Sequence, residues 1–387
     1  MNLTLAEVAA WIIIVALNAY VLFGGADFGG GVWDLLASGP RRQQQRDLVA
    51  HAIGPIWEAN HVWLIVVVVM LFVCFPPAFA AFGTVLHIPL SLMLIGIVLR
   101  GSAFVFRSYS YGPRSEQRRW GLTFAVSSLI TPAVLGMCVG AVVSGHVGAA
   151  MKAVDSGTAG FAATYVRPWI SPFTIAVGAM AVALLSFLAA TYLTIEAAAD
   201  RALQDDFRNR ALGAAVAAMA LAIIALVLGA ETGVMARLIK PGWATLVLAG
   251  SAVAAVTSAV SLVQRRFQLA RVAAGAWVTL VLWGWVLAQF PLIIPPDLTI
   301  DAAAAPNRTL VETMAVLAGG AVFLIPSLWY LLRVFKGSLR AVESTDRTGQ
   351  RGGEYQRTGG GRGRGSTAGR LRGRDPFALC LLLRSCP

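Results

Sequence analysis

The sequence predicts an all-α, polytopic integral membrane protein, and three observations carry that prediction. Hydrophobic residues make up 57% of the 387 residues against 13% charged, and the mean hydropathy is +0.71, which is too apolar for a water-soluble domain. A hydrocarbon core of about 30 Å takes about 20 apolar residues per helix, and runs of that kind recur nine times along the chain. The connections between the runs alternate in basic charge, as the positive-inside rule requires.

The expected spans lie at about 6–25, 54–75, 79–104, 120–144, 170–195, 211–230, 243–263, 272–291 and 311–333. Glu7 opens the first, with no Lys or Arg before it and no convincing cleavage site after it, so it is expected to be a retained helix and not a signal peptide. Pro76-Pro77 is read as closing the second span and Pro295-Pro296 as capping the eighth. With the N-terminus outside, the inner connections hold fourteen Lys or Arg and the outer ones five. That asymmetry puts the C-terminus in the cytoplasm and the chain in a lipid membrane.

The net charge of +12 is concentrated at one end: from Arg333 onward there are twelve basic residues against four acidic ones. The expected domains are therefore a membrane domain over 1–336 and a basic Gly/Arg-rich tail over 337–387, read as disordered and cytoplasmic. A solvated or headgroup-facing tail is preferred to an RNA-binding one, so no nucleic-acid partner is expected. The closing FALCLLL is too short to span. Four cysteines without CxxC, CxxCH or zinc spacing point to no metal.

The chemistry concentrates where polar residues interrupt apolar runs. GPIWEANHVW, residues 54–63, sets Trp57, Glu58, Asn60, His61 and Trp63 on adjoining faces of the first turns of a span. A carboxylate at mid-membrane costs about 2.5–3.5 kcal/mol and usually faces the bundle interior or water. Glu58 has two readings: a side chain that caps the helix or snorkels to the interface, or one that takes up and passes on protons. Glu58 and His61 spell one E-x-x-H, but a di-iron bundle needs two such helices and more glutamates. A lone intramembrane histidine more often serves packing than haem ligation, so none is assigned as an axial ligand.

The first span ends in FGGADFGGGVWDLL, which lacks both nucleotide-binding glycine patterns and any preceding strand. Its glycines are expected to let backbones approach or to break the helix. Asp27 at that break is read as a helix cap or as a second carboxylate at the depth of Glu58. Arg100, in LRGSAFVFR after the third span, can reach the interface or become the charge partner of a carboxylate. On this chemistry alone an oxidase subunit and a proton-coupled secondary transporter stay equally open, although transporters favour midplane breaks and repeated halves.

Five segments taken in order, GGADFGGGVWDLL, GPIWEANHVWLI, LRGSAFVFR, ATYLTIEA and QFPLIIPPDLT, resemble subunit II of the cytochrome bd-type quinol oxidases over about residues 1–335. The W-[D/E]-x-N-x-x-W signature is the most specific. The resemblance implies nine spans built as two four-helix bundles plus a peripheral helix. It implies a terminal respiratory oxidase of the bacterial cytoplasmic membrane that oxidises quinol and reduces O2 to water with cytoplasmic protons. It further implies a haem-bearing subunit I that ligates heme b and heme d, and allows a small accessory subunit and a bound quinone. Glu58 takes the acidic position of a proton route; Asp27 is expected as a second carboxylate for it and Arg100 as a charge partner; Trp57, Asn60 and Trp63 match the motif. His61 stands where many relatives carry another polar residue. Gly24 replaces the first acid of the D-G-F-D-x-G pattern and Asp27 keeps the second. The tail has no counterpart in the family. With the resemblance, the oxidase reading replaces the transporter.

Overall fold

The computed structural model describes residues 3–54, 57–109, 114–158, 160–230, 242–327 and 329–330. The tail expected over 337–387 lies outside them. The chain is helical nearly throughout. Helix α1 runs Leu5–Leu35, α2 Arg42–Ile53, α3 Trp57–Cys74, α4 Pro76–Val85, α5 His87–Tyr109 and α6 Arg114–Val143. Short helices α7 (His146–Asp155) and α8 (Phe161–Tyr165) follow, then α9 Pro172–Glu196, α10 Arg201–Leu228, α11 Gly242–Val263 and α12 Phe267–Gln289. An antiparallel hairpin of β1 (Leu292–Ile294) and β2 (Leu298–Thr299) leads into α13 (Ile300–Ala303). A last helix, α14, occupies Asn307–Ser327.

Eight of these helices are long and apolar enough to cross a membrane, or nine if α2 and α3 count as one bent span. The all-α polytopic reading therefore holds. Helix starts follow local chemistry. Thr4 and Glu7 cap α1 reciprocally, Thr4 Oγ1 accepting from the Glu7 amide at 3.1 Å while Glu7 Oε2 accepts from the Thr4 amide at 3.0 Å. Ser171 caps α9, with Pro172 in its first turn. Asp200 caps α10 by accepting from the amides of Ala202 and Leu203.

Four expectations need correction. The glycine segment of the first span does not break it, because α1 continues unbroken to Leu35. Pro76-Pro77 opens α4 as well as ending α3, so the third span starts at His87 and not near 79. The sixth span begins ten residues early, since the polar segment from Arg201 is helical too. Pro295-Pro296 lies in the hairpin turn, beyond the end of α12 at Gln289.

The apolar core forms two main clusters. One joins Trp33, Val49, Phe124, Phe187, Phe207 and Trp277 near the end of the bundle that carries α2. The other joins Ile13, Phe75, Val85, Cys138, Ile294 and Leu310 near the end that carries the hairpin. Helix α1 packs against α3, α6 and α9, and α9 against α10, α6 and α12.

The glycines of α1 explain how one helix meets so many neighbours. A Cβ on Gly29 would sit 2.1 Å from the Leu185 carbonyl oxygen, one on Gly30 2.8 Å from Ile53 Cδ1, and one on Gly31 2.2 Å from Ser128 Oγ. Successive helical residues are about 100° apart, so three adjacent glycines face three different partners, α9, α2 and α6. Close backbone approach through small residues is how helices associate without a hydrophobic driving force between them. Gly29→Ala drives its methyl into backbone that cannot swing aside, and overpacking of this kind costs about 1–3 kcal/mol. Gly213→Ala on α10, with nothing within 4 Å, should leave stability unchanged or slightly raised. Thermal unfolding of the purified assembly separates the two: a clear drop is expected for Gly29→Ala only.

Candidate functional site

The site is built around Asp27. It lies inside the unbroken α1, eight residues before its last residue, Leu35, and is not a cap; it is only 4% exposed. Asn60, in the first turn of α3, donates from Nδ2 to Asp27 Oδ2 at 2.6 Å, and is itself buried. A hydrogen bond to a charged acceptor is shorter and about twice as strong as one between neutral groups.

Arg100 on α5 is 2% exposed and stays inside the bundle, so it does not snorkel to the interface. Its guanidinium lies 4.7 Å from the ring centre of Phe28 and 5.3 Å from that of Phe124, within cation–π range. Arg100 Nε donates to Ser128 Oγ at 3.2 Å, and Ser128 Oγ donates to the Phe124 carbonyl at 2.7 Å. Arg100 and Asp27 attract each other across the gap between them without a direct ion pair among the described residues. Tyr20 closes the cluster, its ring 6.5 Å from Phe28 and 6.1 Å from His61, edge-on in both cases.

The other expected residues divide. His61 and Trp63 are half-buried on α3, and the side chain of Trp57 lies outside the described part. Glu58 is exposed on this chain. Two residues along α3, about 200° of helical rotation, turn it away from Asn60, and Asp27 holds the buried position.

The sequence reading missed Asp34, which is only 2% exposed. Arg107 Nη1 donates to Asp34 Oδ1 at 3.0 Å, and Arg46 Nε reaches the same oxygen at 3.9 Å while donating to the Asp34 carbonyl at 3.2 Å. The available signal was the spacing: Asp34 follows Asp27 by seven residues, as Arg107 follows Arg100. A second polar group beside it ties α10 to α2. Arg41 grips Asp206 through both Nε (2.8 Å) and Nη2 (2.6 Å), and Gln45 bonds both Asp206 and Arg210. The hydrogen bonds to Asp206, with its charge, hold the Arg41 guanidinium above its ordinary value.

Among the described residues no three His, Cys, Asp or Glu side chains gather as a metal site. At the centre of the buried cluster stand a carboxylate, an amide and a guanidinium, groups whose chemistry is that of holding charge and protons.

Fold and site together define a multi-pass helical membrane protein that keeps ionisable groups inside its bundle, where such groups are costly and tied to function. The particular family follows from comparison. The family model for cytochrome bd terminal oxidase subunit II matches residues 5–335, and the chain belongs to that family. It is thus one subunit of an oxidoreductase complex of electron transport. A Bacillus subtilis (strain 168) protein, named as a candidate cytochrome bd menaquinol oxidase subunit II, is 23% identical over 84% of this chain and 94% of its own. Cytochrome bd-I ubiquinol oxidase subunit 2 of Escherichia coli (strain K12) is 24% identical over 56% of this chain and 54% of its own. A solved bd oxidase from Geobacillus thermodenitrificans has the same fold, with TM-score 0.69 at 22% identity, covering 86% of this chain and 99% of that one.

Removing one member of a buried charge pair leaves the other uncompensated, at about 3–5 kcal/mol. Arg100→Leu should destabilise the assembly by about 3 kcal/mol on that basis, and Asp27→Asn in the same chain should recover part of the loss. Thermal unfolding of the single and double variants checks it; strictly additive losses would mean that the two charges are independent.

Proposed function

We propose that this chain, within its oxidase, supports a haem-bearing subunit I and supplies part of the route by which cytoplasmic protons reach the site of oxygen reduction. Two of its relatives are named as menaquinol and ubiquinol oxidase subunits, which supports quinol as the electron donor and water as the product. Heme b and heme d, held mainly by subunit I, would supply electron transfer and oxygen reduction. A small accessory subunit and a bound quinone complete the expected assembly.

The observation that carries the proton role is Asp27, buried beside Arg100 and hydrogen-bonded by Asn60, two residues from Glu58 on α3. Glu58 is the outward-facing group, able to collect a proton where the partner chain and water meet it. Asp27 is the inward-facing group, able to hold one among fixed dipoles. Asn60, on the same helix as Glu58, donates the hydrogen bond that holds the Asp27 carboxyl in place.

The basic residues of the alternate connections, thirteen with Arg100 placed inside the bundle, against five in the other connections, support an orientation with the N-terminus outside and the C-terminus in the cytoplasm of a bacterial inner membrane. The spans are read as two four-helix bundles, α1, α3, α5, α6 and α9 to α12, with α14 peripheral. The transporter reading is set aside by the family to which the chain belongs.

Glu58→Gln and Asp27→Asn, each made in the complete oxidase, should slow quinol-driven oxygen consumption about tenfold or more, since positioned proton transfer contributes about 100-fold or more. The haem absorption spectrum should stay intact, because a proton acceptor is lost and no ligand. Glu58→Asp should be mild. Wild-type turnover in both neutral variants would sink the proton route.

A further inference from the structure

The contacts between α1 and the α2–α3 segment fall in a regular order. Along α1 they are Asp34, Gly30 and Asp27, one helical turn apart; along the other segment they are Arg46, Ile53 and Asn60, seven residues apart. Arg46 Nε donates to the Asp34 carbonyl at 3.2 Å, Ile53 fills the space that Gly30 leaves, and Asn60 Nδ2 donates to Asp27 at 2.6 Å. Arg46 and Ile53, with Val49 between them, occupy one face of α2, and both apolar members are buried. Only three residues separate Ile53 from Trp57 at the start of α3, so the placement of α2 fixes where α3 begins.

The anchor at the far end is ionic. Asp34 has a side chain only 2% exposed, whereas its partners Arg46 and Arg107 are 26% and 22% exposed. The carboxylate accepts a hydrogen bond from Arg107 of α5 at 3.0 Å and lies within ion-pair distance, 3.9 Å, of Arg46 of α2, whose own hydrogen bond goes to the Asp34 backbone carbonyl; α5 carries Arg107 seven residues beyond Arg100. The same acid therefore sets α5 in register with α1 as well. Positions held by buried charge-assisted hydrogen bonds on rigid helices are the ones that keep a site within its working geometry.

We infer that Asp34 is a positioning residue for the Asp27 site: through Arg46 it seats α2 on α1 and so holds Asn60 against Asp27, and through Arg107 it holds Arg100 at the same level. This rests on the proton-route reading only for its effect on turnover; the placement of Asn60 stands by itself.

Two measurements on the complete oxidase test it. In a cryo-electron microscopy map, Asp34→Asn should show Asn60 withdrawn from Asp27. Turnover should fall about tenfold, since a misplacement of about 1 Å can cost about 100-fold. Asp34→Glu, which keeps the charge, should restore most of it. The variant carrying both Asp34→Asn and Asp27→Asn should be no slower than Asp27→Asn alone, because both act through one carboxylate. Should Asp34→Asn fail to assemble, Arg46→Gln leaves the Asp34–Arg107 pair intact and should give the same withdrawal. An Asn60 still seated on Asp27, or losses that multiply in the double variant, would overturn the inference. Wild-type turnover in Asp27→Asn would instead overturn the proton route, and the map would still decide the positioning role.

Discussion

Placing a carboxylate and a guanidinium inside a bundle surrounded by hydrocarbon is the constraint on which this structure turns. Each buried ion loses several kcal/mol of solvation, and lipid offers no water to replace it. Asp27 and Arg100, at 4% and 2% exposure, are stable there because the surrounding helices supply substitutes for water. Asn60 provides a donor for one carboxylate oxygen, and Ser128 an acceptor for Arg100 Nε. Phe28 and Phe124 present ring faces to the guanidinium. Those substitutes come from α1, α3, α5 and α6, so the charged pair fixes the relative placement of four helices.

That placement is affordable only because α1 has shed its side chains where it meets its neighbours. The run Gly29-Gly30-Gly31 lets Leu185, Ile53 and Ser128 approach from three directions. Gly31 brings Ser128 close enough to serve Arg100, so a packing feature and an electrostatic one share a residue. Glycine in a helix interior costs about 1 kcal/mol relative to alanine, and three in a row would be a weakness in an isolated helix. Within the bundle the close contacts they permit offset it.

Much of this was legible in the sequence, for reasons that differ by residue. The apolar runs report hydropathy directly, so the helices at 172–196, 242–263 and 267–289 fall near the expected 170–195, 243–263 and 272–291. Hydropathy fails where a helix continues through polar residues: Arg201 to Arg210 are helical but water-facing or paired, as Arg41 with Asp206 shows. It also fails at the glycines, whose role as contact points depends on partners 23, 97 and 156 residues further along the chain. Arg100 and Asp27 stood out as charges in apolar company. Their proximity did not, because it depends on how α1 and α5 pack side by side. Asp34 went unnoticed since it sits at a helix end, where an acid is ordinary; only its burial sets it apart.

The directions of Glu58 and Asp27 carry the last step. They belong to helices that pack against each other, yet one is buried within the chain and the other exposed on it. An exposed carboxylate in the first turn of a membrane helix cannot rest against acyl chains without a cost of kcal/mol scale, so its surroundings must be water or another protein. Asp27 is instead enclosed by the chain itself and hydrogen-bonded by Asn60. Glu58, exposed on this chain, is left to be met from outside it, beside an acid that the chain's own helices enclose. Membership in a multi-subunit oxidase family gives that arrangement its physical sense.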